Sequence, residues 1–224
     1  MHIEPGLVSE AKILLSYATA AAAGIYTLKL GYQNAVERGV VSLAARAALA
    51  TVAVFSFFQL MPHAPVGVSE VHLILGSTLF LMLGAAPAAI GLTLGLLLQG
   101  MFFEPQDLAQ YGMNITTLLV PLFGLQVLAN RIIARGTAYV DLTYRQALVL
   151  STAYQGGIVA WVAFWAIYGQ GFTVANLTAC TTFAAAYMLV VLVEPLVDLA
   201  VLGIAKSLHT MRGSALVEQR LYAA

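Results

Sequence analysis

The stretch 73-LILGSTLFLMLGAAPAAIGLTLGLLLQGMFF-103 decides how often this chain crosses a bilayer. It is apolar throughout, yet too long for one simple crossing, which needs about 20 residues. Gly84-Ala85-Ala86-Pro87 offers a tight turn inside it. The reading adopted is two short helices, about 71–84 and 88–103. The alternative is one kinked and tilted helix. Two short helices must be buried among neighbours or extended by the turn, because bare backbone is not tolerated in hydrocarbon.

The flanking sequence supplies five more apolar spans, at about 11–30, 40–61, 115–133, 146–168 and 172–208. Between them lie short polar links. The chain is 61% hydrophobic and only 9% charged, with mean hydropathy +0.88. A soluble domain carries about a quarter of its residues charged, so the composition demands a polytopic membrane protein. The expected fold class is all-α, with about seven transmembrane helices forming a single domain over 1–224. The one cysteine, Cys180, rules out an intramolecular disulfide or a cysteine-based metal cluster. There is no P-loop, nucleophile elbow or Gly-rich dinucleotide fingerprint. Glu4 and Glu10 surround the start where a signal peptide would carry bases, so no cleaved signal is read there.

Basic residues choose between the two readings of 73–103. With seven crossings and the N-terminus outside, nine of the ten Lys and Arg residues fall on the cytoplasmic side, leaving only Lys12 outside. A six-helix chain would put Arg131, Arg135 and Arg145 outside. The seven-helix reading also gathers His2, His63, His72, Glu104, Asp107 and Asn114 on the outer face. Glu4, Glu10 and Glu70 join them, and an acidic rim raises the local cation concentration modestly. Glu194 and Asp198 fall near the inner end of the last span and read as interfacial acids. The alternative is a proton-coupled pair one helical turn apart.

The outer face begins with Met1-His2-Ile3-Glu4-Pro5-Gly6. A histidine at position two can chelate one ion through the Met1 amine, its own backbone nitrogen and its Nδ1. Those atoms close fused five- and six-membered rings that are roughly planar. A fourth nitrogen completes a site suited to Ni(II) or Cu(II). By itself the dipeptide more often reads as a solvated terminal histidine, and the rest of the chain must change that. The loop 61-MPHAPVGVSEVH-72 supplies two candidates for the fourth nitrogen, His63 and His72. Ser69 reads there as the N-cap of a helix starting at Glu70, which would place His72 in the first turn and favour its neutral form. In the first span, Ala18, Ala22 and Gly24 form a small-residue surface. Such a surface packs within the protein or docks a partner membrane subunit.

Four pieces, MHIEPG (1–6), GVSEVHL (67–73), LLLQGMFF (96–103) and GMN (112–114), resemble the substrate-binding membrane component of cobalt/nickel energy-coupling-factor transporters, the CbiM/NikM family. The likeness covers 1–130 by motif and the remainder by hydropathy. In two places the chain differs: Glu4 is followed by Pro5, and Glu104-Pro105-Gln106-Asp107 stands where the family has a Gly-rich turn. The resemblance implies a seven-helix fold with the N-terminus folded into the site. It implies Ni2+ or Co2+ as transported cargo, with no permanently bound cofactor. The ligands it implies are Met1, His2 and, by its Ser-x-x-His-Leu setting, His72, with His63, Glu4 and Asn114 around them. It further implies a multi-pass protein of the bacterial cytoplasmic membrane that is not itself an enzyme. Its partners would be a coupling membrane subunit, ATPase subunits and a small auxiliary membrane subunit, with no nucleic acid among them.

Two other readings use the same residues. One is a membrane haem or redox enzyme with axial ligands drawn from His2, His63, His72 and His209. The other is a channel-like scaffold with an incidental terminal histidine. The partition of bases yields a direct test of topology. A C-terminal reporter should be active only when it is of the cytoplasmic type, and activity solely from a periplasmic reporter would overturn the orientation.

Overall fold

The computed structural model describes residues 2–9 and 11–211. The helices are α1 (Leu14–Arg38), α2 (Val40–Leu60), α3 (Gly76–Leu83), α4 (Ala85–Phe102), α5 (Tyr111–Ile132), α6 (Tyr144–Gln170) and α7 (Val174–Thr210). A β-hairpin, β1 (Ala64–Val66) and β2 (Ser69–Val71), separates α2 from α3. The chain is an all-α polytopic membrane protein apart from this hairpin. Among the described residues, five segments are long and apolar enough to cross a membrane. They contain α2, α4, α5, α6 and α7. Outward-facing Leu28, Val41, Leu189 and Leu196 are more than half exposed, which suits a lipid-facing surface.

The deciding stretch does form two helices, with shifted bounds. Gly84 makes the break at φ 95°, a conformation that favours glycine. Helix α4 starts immediately after it and takes Pro87 into its first turn, where a missing N–H costs nothing. Helix α3 is only eight residues, about 12 Å long at 1.5 Å per residue. The residues before it do not continue the helix. Ser69 lies in β2, so the helix expected from Glu70 is absent and its N-cap with it. Gly67, at φ 65°, turns the hairpin. A Cβ there would meet the Ala179 carbonyl oxygen at 2.2 Å, so the hairpin sits directly on the first turns of α7.

Close approaches through glycine hold the bundle together. On α4, a Cβ at Gly91 would meet Ala50 Cβ at 2.3 Å, and one at Gly95 would meet Val54 Cγ1 at 2.6 Å. This four-residue spacing lets α2 and α4 pack at backbone distance. A Cβ at Gly112, at the start of α5, would meet the Ser16 carbonyl oxygen of α1 at 2.9 Å. Phe58, Leu92, Leu118, Tyr154, Ile158 and Phe183 then fill the shared core.

Helix α7 runs unbroken through Pro195. Glu194 and Asp198 are 0% and 2% exposed, so they are not interfacial acids. They face the N-terminal end of α3. A fully buried carboxylate survives only with donors around it, and Ile74, Gln155, Ser77 and Thr78 provide them.

Candidate metal centre

The site is built by laying the N-terminal segment along β2. Ile3 bridges Ser69 in antiparallel fashion. Glu70 N–H donates to the His2 carbonyl at 2.9 Å, and Glu4 N–H to the Val68 carbonyl at 3.2 Å. Ser69 Oγ also donates to the His2 carbonyl at 2.9 Å. From the other side, Asn114 Oδ1 accepts the Ile3 N–H at 2.9 Å. The Gln110 amide, with its nitrogen turned inward, reaches the Ile3 and Glu4 carbonyls at 3.0 and 3.1 Å. Ile3 is fully buried beside Val8, Met113 and Trp165. The anchors, from backbone and side chains alike, take hold of the backbone of residues 2–4 and the buried Ile3, so the segment is held like an interior strand.

The anchored His2 is 3% exposed and His72 is 1% exposed, with ring centroids 5.4 Å apart. Their outward nitrogens are fixed. His2 Nε2 lies 3.1 Å from Gln99 Oε1, and Gln99 Nε2 in turn donates to the Phe58 carbonyl at 3.4 Å. An amide oxygen only accepts, so His2 carries its proton on Nε2. His72 Nε2 lies 2.7 Å from Glu70 Oε2, which sets the same tautomer. Both Nδ1 atoms are buried and without a hydrogen-bond partner. A carboxylate or amide holding the far ring nitrogen while the near one stays free is how metal-binding histidines are oriented. Burial, foremost, holds the His72 imidazole well below its ordinary pKa, with the neighbouring His2 and His63 rings adding to the effect. It is therefore neutral and able to bind a cation.

Carboxylates border the free nitrogens. Ligand-capable atoms of His2, Glu70 and His72 all lie within 4.8 Å of one another. Asp107 Oδ2 is 2.5 Å from His2 Nδ1 but outside hydrogen-bond geometry. A carboxylate this close to a ring nitrogen is satisfied by a positive charge between them, a proton or a metal cation. A cleft of 210 Å³, lined by His2, Glu4, Glu70 and Asp107 among others, opens the site to solvent.

The structure brings together His2, His72, His63 and Asn114 from the sequence-level set. His63 is exposed and stacks on His72 at 4.8 Å and 13°, covering it as a lid rather than pointing at His2. Asn114 serves through the backbone, and Glu4 lines the cleft mouth. Met1 lies outside the described residues. Sequence reasoning missed the parts played by Gln99, Glu70, Asp107 and Gln110. A lone Gln in the apolar run Leu96–Leu98 was the available signal for Gln99. Asp107 belongs to the segment that departs from the family pattern, and it lands beside His2.

The same geometry offers no facing axial pair for a haem in His63 with His72, or in either with His209. His63 and His72 are stacked with no space for a macrocycle between them. His209 lies about 45 Å along α7 from the hairpin contact at Ala179, by helix rise.

The fold and the site together define a polytopic membrane protein with two buried histidines bordered by carboxylates at one end of its bundle. The family described as the cobalt uptake substrate-specific transmembrane region, CbiM, matches residues 2–211, and the chain belongs to that family. It is thus a transport protein of the metal-uptake class. Two solved structures share its fold. One, a truncated transition metal transporter, is 18% identical with TM-score 0.63, covering 92% of this chain and 96% of its own. The other, a transition metal transporter, is 19% identical with TM-score 0.60, covering 99% and 98%. None of the curated proteins matches the chain.

The anchoring of residues 2–4 is testable without metal. Asn114→Ala leaves the buried Ile3 N–H without an acceptor, a loss of about 1–3 kcal/mol. Amide exchange at Ile3 should accelerate markedly while the α2 core is unaffected. Unchanged protection at Ile3 would show that β2 alone holds the segment.

Proposed function

We propose that the chain captures Ni2+ or Co2+ at the outer face of a bacterial cytoplasmic membrane, as the substrate-specific subunit of an energy-coupling-factor importer. The carrying observation is the pair of buried histidines brought together by the anchored N-terminal segment, His72 with an unpartnered Nδ1 and His2 with its Nδ1 facing the Asp107 carboxylate. In this reading the Met1 amine, the His2 backbone nitrogen and Nδ1, and His72 supply four nitrogens. Planar four-nitrogen ligation favours nickel, and an added water would suit cobalt. The ion is cargo, so no permanent cofactor is required. Glu70 and Gln99 orient the two imidazoles, and His63 shields the pocket.

The resemblance implies that energy comes from ATPase subunits acting through a coupling membrane subunit, with a small auxiliary membrane subunit in the assembly, and the lack of a nucleotide-binding motif in the sequence is consistent with that. The small-residue face of α1 is the docking surface assigned to the coupling subunit. Ala18 and Ala22 are exposed, and a Cβ at Gly24 would meet nothing within 4 Å. A second backbone can therefore approach there. Ala22→Leu should abolish transport and leave ion binding intact; loss of both would assign this face to internal packing.

The ligand set has its own test. Metal content of the purified protein should collapse for His2→Ala, for His72→Ala and for a chain extended by one residue before Met1. The extension moves the amine and breaks the fused rings, which no ordinary surface histidine would register. His63→Ala should retain most of the metal. Binding should strengthen as pH rises, because the backbone amide must lose its proton. Full occupancy in the extended chain would end the four-nitrogen assignment.

A further inference from the structure

The segment His72-Leu73-Ile74-Leu75 joins the site to α3, and its backbone is strained. Leu75 has φ 53°, the one positive-φ residue other than glycine among the described residues. Such a conformation persists only where surroundings over-determine it. Here they come from α7. The Ile74 N–H, next to Leu75 in the chain, donates to the Glu194 carboxylate. Gln155 Nε2 donates to its other oxygen, and Tyr187 Oη fixes Gln155 by donating to Oε1 at 2.7 Å. One turn on, Asp198 accepts from Ser77 Oγ at 2.5 Å and from Thr78 Oγ1. Ile74, Gln155, Tyr187, Ser77 and Glu194 are all 0% exposed.

A buried carboxylate in a spanning helix is expensive and usually marks function. An ion path is the obvious alternative, but the oxygens of both acids are occupied by protein donors. What they hold instead is the turn that aims His72.

We infer that Glu194 is a positioning residue for cargo binding: from α7 it fixes the strained Ile74–Leu75 turn and so holds His72 in the metal pocket. Asp198 secures the same turn by pinning the first residues of α3. Metal occupancy and the position of α7 are thereby linked through the Ile74 N–H bond to Glu194 and the Ser77 and Thr78 bonds to Asp198. This inference rests on His72 being a ligand of the cargo.

The test uses the full chain in detergent, with Ni2+ as probe and affinity measured by chelator competition. Glu194→Ala should weaken binding about tenfold or more, the range seen when the support of a ligand is removed. Its Ni2+ ligand-field spectrum should move to that of His72→Ala. Glu194→Gln keeps an oxygen for Ile74 N–H and should retain most of the affinity. Adding Leu75→Gly to Glu194→Ala should recover binding, because glycine accepts the positive φ without strain. Glu194→Ala combined with His72→Ala should bind no more weakly than His72→Ala alone, since the effect runs through one ligand. Independent, additive losses would overturn the inference, as would native affinity in Glu194→Ala. If Glu194→Ala does not fold, Gln155→Leu takes its place in the same cycle, and additivity there is equally fatal. Native affinity in His72→Ala would instead defeat the ligand assignment itself, whatever Glu194 does.

Discussion

The site depends on one short piece of strand pairing. Residues 2–4 add to the free edge of β2, and the His2 carbonyl takes two donors from Ser69–Glu70. A chain terminus normally frays, because ordering its backbone costs entropy with little to offset it. Here Ile3 goes into the core and Asn114 takes its N–H, so the backbone on either side of the His2 ring is fixed. The proposed chelate, made partly of backbone atoms, would draw on that rigidity. A floating terminus would offer the same atoms but would have to be ordered at each binding event.

The hairpin that receives the N-terminus is itself clamped by the bundle. Gly67 rests on Ala179, and Glu194 grips the turn beyond His72. Both clamps belong to α7. From the other side, α4 brings Gln99 to His2, and α4 is set by its close glycine contact with α2. Buried polar groups in a membrane bundle must find partners inside the protein. That requirement turns Gln99, Gln155, Glu194 and Asp198 into connectors between helices that otherwise meet only through apolar side chains.

One local misreading hid part of the site. A helix starting at Glu70 would have put Glu70 and His72 on different faces, since residues two apart do not meet on a helix. The observed strand leading into His72 puts them on the same side, and their side chains touch at 2.7 Å. The proline-rich loop carried no alternation long enough to show this. The interfacial reading of Glu194 and Asp198 failed for a related reason. Distance along an apolar run locates a residue in depth, but not on the lipid-facing or core-facing side of its helix.

The sequence by itself determined the membrane class and the break within 73–103. Both are local: composition, and a glycine shortly before a proline. The tertiary structure alone decided which distant groups complete the site. Gln99 meets His2 across 97 positions, Asn114 meets Ile3 across 111, and Glu194 meets Ile74 across 120. Periodicity can assign a residue to a face of its own helix, but which faces meet is settled by packing, through close approaches such as Gly91 on Ala50 and Gly67 on Ala179.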